Sequence, residues 1–140
     1  TIKQTIEAYV PSNNRSQWIK KGTNTFLLDA YNANPTSMSQ TLDYFASLDA
    51  PSKVVILGDM LELGKDSHSN HQNILKKALK AKFNQCILVG AAFAEPASLH
   101  KLPHFENVGK LKPWFEKQNF QNTHFLIKGS RGIRLEKLLE

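Results

Sequence analysis

One cysteine, Cys86, stands in the 140 residues, so no internal disulfide can form. It lies in the apolar run Cys86-Ile87-Leu88-Val89 and is expected to be an inert core thiol. No apolar run approaches the roughly 20 residues that cross a bilayer, and Thr1-Ile2-Lys3-Gln4 has none of the layout of a secretory signal. The chain therefore reads as cytoplasmic, with no membrane span. Two phosphate-binding patterns are missing as well: there is no G-x-x-x-x-G-K-[ST] loop to cradle a triphosphate and no G-x-G-x-x-G fingerprint for a dinucleotide. A domain built this way cannot carry out a complete phosphate-driven reaction alone. Internal repeats and low-complexity linkers are also lacking.

What is there is the balance of one globular unit, with 41% hydrophobic and 21% charged residues. The formal charge of +6 invites a nucleic-acid reading, which the distribution opposes. Lys76, Lys77, Lys80 and Lys82 fall opposite Ile74, Leu75, Ala78 and Leu79, as on an ordinary solvated helix face. No nucleic-acid-binding motif accompanies them, and an anionic small molecule or an acidic neighbouring domain fits the charge equally well.

The pattern predicts an α/β domain. Ile2, Ile6 and Tyr9 have helical spacing and stop at Val10-Pro11-Ser12, reading as the tail of something upstream. Gln17 to Lys20 and Thr25 to Leu28 flank Lys21-Gly22-Thr23-Asn24 as a hairpin, which delivers Asp29 to a strand end. Asn34-Pro35 opens a helix with the stripe Met38, Leu42 and Phe45, because Asn caps well and Pro suits the first helical position. Val54 to Leu57 is a strand expected to be covered on both faces. A helix over about Asn70 to Lys82 follows, then a strand from Gln85 to Val89, a helical turn near Ala91 to Glu95 and a short strand near Phe105. Val108 to Lys117 is a helix whose boundary Pro113 blurs. The last unit is a strand from Thr123 to Ile127, a turn at Lys128-Gly129-Ser130, and a helix from Arg131 carrying Ile133, Leu135, Leu138 and Leu139.

Gly58, Gly90 and Gly129 each end a strand and lead toward a helix. In open α/β sheets ligands gather outside the carboxyl ends of the strands, where helix N-termini offer free N–H groups to anions. Three segments there could carry chemistry. Asp29-Ala30-Tyr31-Asn32-Ala33-Asn34-Pro35-Thr36-Ser37-Met38 puts an acid, a phenol and two amides at a strand end, although Asn34 and Pro35 are equally explained as a cap. Gly58-Asp59-Met60-Leu61-Glu62-Leu63-Gly64, with Ser67 and His71, mixes acids with apolar residues on a loop. A metal site from Asp59, Glu62, His68 and His71 matches no standard ligand spacing, so solvated or capping roles are the simpler reading. Lys128-Gly129-Ser130-Arg131 offers two cations, a hydroxyl and backbone N–H groups suited to a carboxylate or phosphate, or else a tight turn with surface cations.

In this order and at this separation, the three segments resemble the C-terminal domain of the Mur ligases, from about Asn14 to the end of the chain. Within that family they are most similar to the branch that adds D-alanyl-D-alanine, since other branches commonly have His where Asn32 or Ala33 stands. The resemblance implies a three-layer Rossmann-like domain, with a mostly parallel sheet, helices on both faces and an N-terminal hairpin. It divides the chain into residues 1–12, a linker or the tail of a central ATPase domain, and residues 13–140, the C-terminal domain. It further implies a three-domain enzyme using ATP and Mg2+, both bound mainly by the central domain, with an N-terminal domain for UDP-N-acetylmuramoyl-tripeptide. ATP would phosphorylate the peptide carboxylate, and the incoming amine would attack the acyl phosphate. No residue of this domain would be catalytic alone.

By the same resemblance, Arg15 reaches the nucleotide phosphates, although the family usually has Gly where Asn14 stands. Asp29 binds ribose, and Tyr31, Asn32 and Asn34 line the adenosine side. Lys128, Ser130 and Arg131 lie toward the D-alanyl-D-alanine, while Asp59, Glu62 and His71 contact substrate or pack the closing interface. The charged end at Glu140 leaves room for a following domain, as in relatives fused to alanine racemase. Two alternatives stay open: a related ligase using another amino acid, and a free-standing nucleotide-binding regulatory module.

Overall fold

Val54, Val55, Ile56 and Leu57 are buried at every position because the strand they form has helices over both of its faces. The computed structural model describes residues 16–29, 33–61 and 63–140. The expected tail over Thr1 to Tyr9 and the site positions Arg15, Tyr31, Asn32 and Glu62 lie outside the described residues.

Among the described residues there are six strands, β1 (Gln17–Lys21), β2 (Asn24–Asp29), β3 (Lys53–Gly58), β4 (Gln85–Val89), β5 (His104–Phe105) and β6 (His124–Lys128). They form one sheet in the order β1-β2-β6-β3-β4-β5. Of these described strands only β1 runs antiparallel, paired to β2 across the two-residue turn Gly22-Thr23, where Gly22 takes a φ of 61°. The helices are α1 (Pro35–Ser47), α2 (Ser67–Lys80), α3 (Ala94–Leu99) and α4 (Val108–Gln118).

From β2 the chain steps through β3 and β4 to β5 in one direction, and then returns to insert β6 between β2 and β3. Right-handed crossovers place helices on opposite faces when the direction of travel reverses. That reversal builds three layers. On one face Leu27, Val55, Leu57, Leu88 and Leu126 meet Met38, Leu42 and Phe45 of α1 and Leu75 and Ala78 of α2. On the other, Phe26, Ile56, Ile87, Phe125 and Ile127 meet Leu111 of α4 and the C-terminal Leu135 and Leu138. Each such fully buried Val, Leu, Ile, Phe or Met side chain contributes about 1.5–3 kcal/mol relative to exposure.

Two expectations change, at α2 and at the C-terminal end, and the expected helix from Val108 holds, each for a physical reason. α2 begins at Ser67, not Asn70, because a 3-10 turn over Gly64–Asp66 runs directly into it, and the chain leaves the helix before Lys82, which takes a φ of 59°. α4 runs unbroken through Pro113. The proline and Gly109, whose carbonyl loses its usual donor, are both exposed, so water can serve that carbonyl. The end of the chain forms two 3-10 turns, Arg131–Ile133 and Leu135–Leu139, in place of a single helix. Arg134 divides them in the left-handed conformation, and the three-residue spacing of Leu135 and Leu138 keeps both on the buried side of a three-residue turn.

Cys86 is buried as expected, and burial pushes its thiol up to about 12.

Candidate functional site

The parallel strands β2, β6, β3 and β4 all bring their carboxyl ends to one edge, so Asp29, Lys128, Gly58 and Val89 share it. The chain runs close on itself where β3 ends and just after β6. A Cβ on Gly129 would lie 2.9 Å from the Gly58 Cα and 2.9 Å from a methyl of Leu135. These two glycines let the C-terminal turn fold back over the edge.

Asp29 and Lys128 are register partners on β2 and β6, and the Lys128 Nζ lies 2.6 Å from the Asp29 Oδ2. Their side chains are 10% and 2% exposed. An ion pair this buried is held by its own geometry, since losing either member would leave an uncompensated charge.

Asp59 follows β3 and turns its carboxylate toward the next crossover. Its Oδ2 accepts the Ala92 N–H at 2.9 Å and its Oδ1 the Phe93 N–H at 3.2 Å, so it caps the turn that leads into α3. The Asp59 N–H itself donates to the Val89 carbonyl at 3.1 Å.

His71 on α2 is fully buried beneath the same loop. Its Nε2 accepts the Met60 N–H at 2.9 Å. A backbone N–H can only donate, so the ring proton resides on Nδ1, which reaches the Ser67 carbonyl at 2.7 Å. Phe93 packs edge-on against the ring, with centroids 4.6 Å apart.

Ser130 binds three strand-end loops together. Its N–H donates to the Asp59 carbonyl at 3.0 Å, its Oγ accepts the Leu61 N–H at 2.8 Å, and the hydroxyl points to the Ala33 carbonyl at 3.5 Å. Asn34 caps α1: its Oδ1 accepts the Ser37 N–H at 2.9 Å, and the Ser37 Oγ accepts the Asn34 N–H at 3.1 Å. Arg131 and Leu61 are exposed beside this bracing, and the Leu61 side chain borders Gly132.

A match to known proteins follows the same stretch. The family model described as "Mur ligase, glutamate ligase domain" matches residues 14–130. The chain belongs to the Mur ligase family. Two curated relatives are UDP-N-acetylmuramoyl-tripeptide--D-alanyl-D-alanine ligases: that of Rickettsia prowazekii is 35% identical over 81% of this chain, and that of Treponema pallidum 32% over 98%. The chain spans only 26% and 31% of their lengths. The crystal structure of MurF from Acinetobacter baumannii matches with a TM-score of 0.78 and 29% identity, over 92% of this chain and 29% of that one.

The fold brings Asp29, Lys128, Ser130 and Asp59, quoted above as Mur-like motif positions, to one edge. His71 acts there from below, through a loop amide. Sequence reasoning missed two partners of this assembly. The first is the Ala92–Phe93 turn that receives Asp59, signalled only by the strand-end Gly90. The second is the direct Asp29–Lys128 pair, which depends on β6 inserting beside β2 and has no local signature. Among the described residues no group of three His, Cys, Asp or Glu side chains is placed to hold a metal. His68 approaches Glu95 at 4.0 Å on the surface, while Asp59 and His71 are engaged with backbone groups. No described helix is long and apolar enough to cross a membrane.

Proposed function

We propose that this chain is the C-terminal domain of a cytoplasmic, ADP-forming ligase that adds D-alanyl-D-alanine to UDP-N-acetylmuramoyl-tripeptide in peptidoglycan synthesis. The observation that carries the reading is the convergence of three Mur-like segments on one sheet edge, in a chain whose relatives bear that name. Residues 1–12 would be a linker or the end of the central domain, and residues 13–140 the domain that closes over the site. The partners are then the N-terminal and central domains of the same enzyme.

In this reading the γ-phosphoryl group of ATP passes to the terminal carboxylate of the tripeptide, releasing ADP. The amine of the dipeptide then attacks the acyl carbon and phosphate leaves. This domain binds and orients. Asp29 offers a carboxylate at a strand end, which suits a ribose diol, with Tyr31, Asn32 and Asn34 on the adenosine side and Arg15 toward the phosphates. Asn34 can contribute only what capping α1 leaves over. Arg131 is the exposed cation suited to the dipeptide carboxylate, with Ser130 fixing the turn that carries it. Asp59 and His71 shape the loop that carries Leu61 and Glu62. Mg2+ would accompany the ATP phosphates and be held mainly by the central domain.

The test is ADP release by the full-length protein with UDP-N-acetylmuramoyl-tripeptide, with and without D-alanyl-D-alanine. Release that requires both substrates is expected. Release indifferent to the dipeptide would remove this acceptor. In the same assay, Asp29→Ala should raise the KM for ATP, and an unchanged value would take Asp29 out of the nucleotide site.

A further inference from the structure

We infer that Lys128 is a positioning residue of the nucleotide site: it acts through Asp29 and does not touch the acceptor peptide. The inference rests on the reading above, in which Asp29 meets the ribose.

Burial decides where the Lys128 ammonium can act. At 2% exposure it presents almost no surface to a ligand, whereas Arg131, three residues on, is exposed. The same chain turn therefore sends one cation inward and one outward. The inward one lies 2.6 Å from the Asp29 Oδ2, within direct charge-assisted hydrogen-bond contact. Parallel pairing sets this contact, because Asp29 and Lys128 are opposite each other at the ends of β2 and β6.

A carboxylate has two oxygens, and the pair occupies one of them. No other described residue hydrogen-bonds to the Asp29 carboxylate, so none of them takes up Oδ1, the oxygen offered here to a ligand hydroxyl. With Oδ2 pinned, the plane of the carboxylate is fixed before the ligand arrives. A ligand that bonds to Oδ1 then pays no entropy for ordering that side chain. Without Lys128 the carboxylate would be a buried charge lacking its partner, free to rotate or draw in water. The consequence for binding falls on the nucleotide and leaves the dipeptide unaffected.

The experiment compares wild type, Asp29→Asn, Lys128→Met and the double variant in the full-length protein. The readouts are the Kd for ADP by calorimetry and the KM values for ATP and D-alanyl-D-alanine. Each single change should weaken ADP binding and raise the ATP KM by about tenfold, the scale of one lost charge-assisted hydrogen bond. The double variant should bind ADP no more weakly than the worse single one, because the two positions act as a unit. The dipeptide KM should stay within about twofold of wild type. Thermal midpoints report folding. Each single variant leaves one buried charge unpaired, so if either is too unstable to assay, the double variant, which carries none, is compared with wild type: a loss of ADP affinity of about tenfold is expected, and unchanged affinity or a loss of about a hundredfold would overturn the inference.

Multiplied losses of ADP affinity in the double variant, or a dipeptide KM that rises while ADP binding is unchanged, would overturn the inference. The calorimetric arm needs no acceptor substrate. A wild-type enzyme indifferent to D-alanyl-D-alanine would therefore fail the proposed reaction, while the coupling of positions 29 and 128 in ADP binding would still be read.

Discussion

The carboxylate of Asp59 occupies the space that a side chain on Gly90 would need: a Cβ placed there would lie 2.3 Å from the Asp59 Cγ and 2.4 Å from its Oδ1. Gly90 also adopts a φ of 114° and ψ of 160°, a region open essentially to glycine alone. One residue thus supplies both the backbone turn after β4 and the room for the acid that caps it.

The glycine should therefore be intolerant of the smallest change. Gly90→Ala is expected to cost about 3 kcal/mol or more, from the forbidden backbone region and the displaced buried carboxylate together. Urea unfolding would measure it. A loss under about 1 kcal/mol would mean that the turn can relax and that Asp59 is not locked to Ala92 and Phe93.

His71 should matter through a hydrogen bond and not through its volume. His71→Phe keeps a ring against Phe93 but leaves the Met60 N–H without an acceptor, at an expected cost of about 1–3 kcal/mol. The amide of Met60 should then exchange faster with solvent. An unchanged exchange rate would show that other contacts hold the loop.

The layers of the fold were legible because their signals are local. The unbroken apolar run at Val54 to Leu57 announced a strand covered on both sides, and Asn34-Pro35 announced a helix start, complete with the cap it forms. Position in the sheet was not local: nothing in the run from His124 to Lys128 says that it will enter between β2 and β3. Asp29 and Lys128 were therefore named for separate ligands, although the fold pairs them. The C-terminal apolar spacing suited a helix, but the left-handed turn at Arg134, which no glycine marks, divides it into two 3-10 turns. The roles of Asp59 and His71 stayed open in the sequence because their partners are backbone N–H groups of distant loops, which leave no trace in side-chain pattern.

Ser130 should affect the acceptor side more than the nucleotide side if the proposed reaction is right. Ser130→Ala removes the acceptor of the Leu61 N–H and loosens the loop beside Arg131, while Asp29 keeps Lys128. The KM for D-alanyl-D-alanine is expected to rise about threefold to tenfold, with the KM for ATP within about twofold. A rise confined to ATP would place the Ser130 turn against the nucleotide.

His124 gives stability a pH dependence at the opposite edge of the sheet. It begins β6, is buried, and lies edge-on to Trp18 with ring centroids 6.3 Å apart. Burial, with Lys53 and then Lys20 nearby, holds its imidazole below the ordinary value of 6.5. The folded state thus takes up this proton less readily than the unfolded chain, and stability gained from His124 rises with pH wherever the unfolded imidazole is charged and the folded one is not. That contribution should be complete above pH 6.5, decline as the pH falls through the unfolded value, and level off below the lowered folded one. His124→Gln removes the titration. The difference in unfolding free energy between wild type and His124→Gln should therefore shift against wild type as the pH is lowered from about 7.5 to 5. A pH-independent difference would mean that the folded protein accepts the proton on His124 as readily as the unfolded chain, so that neither burial nor the two lysines governs it.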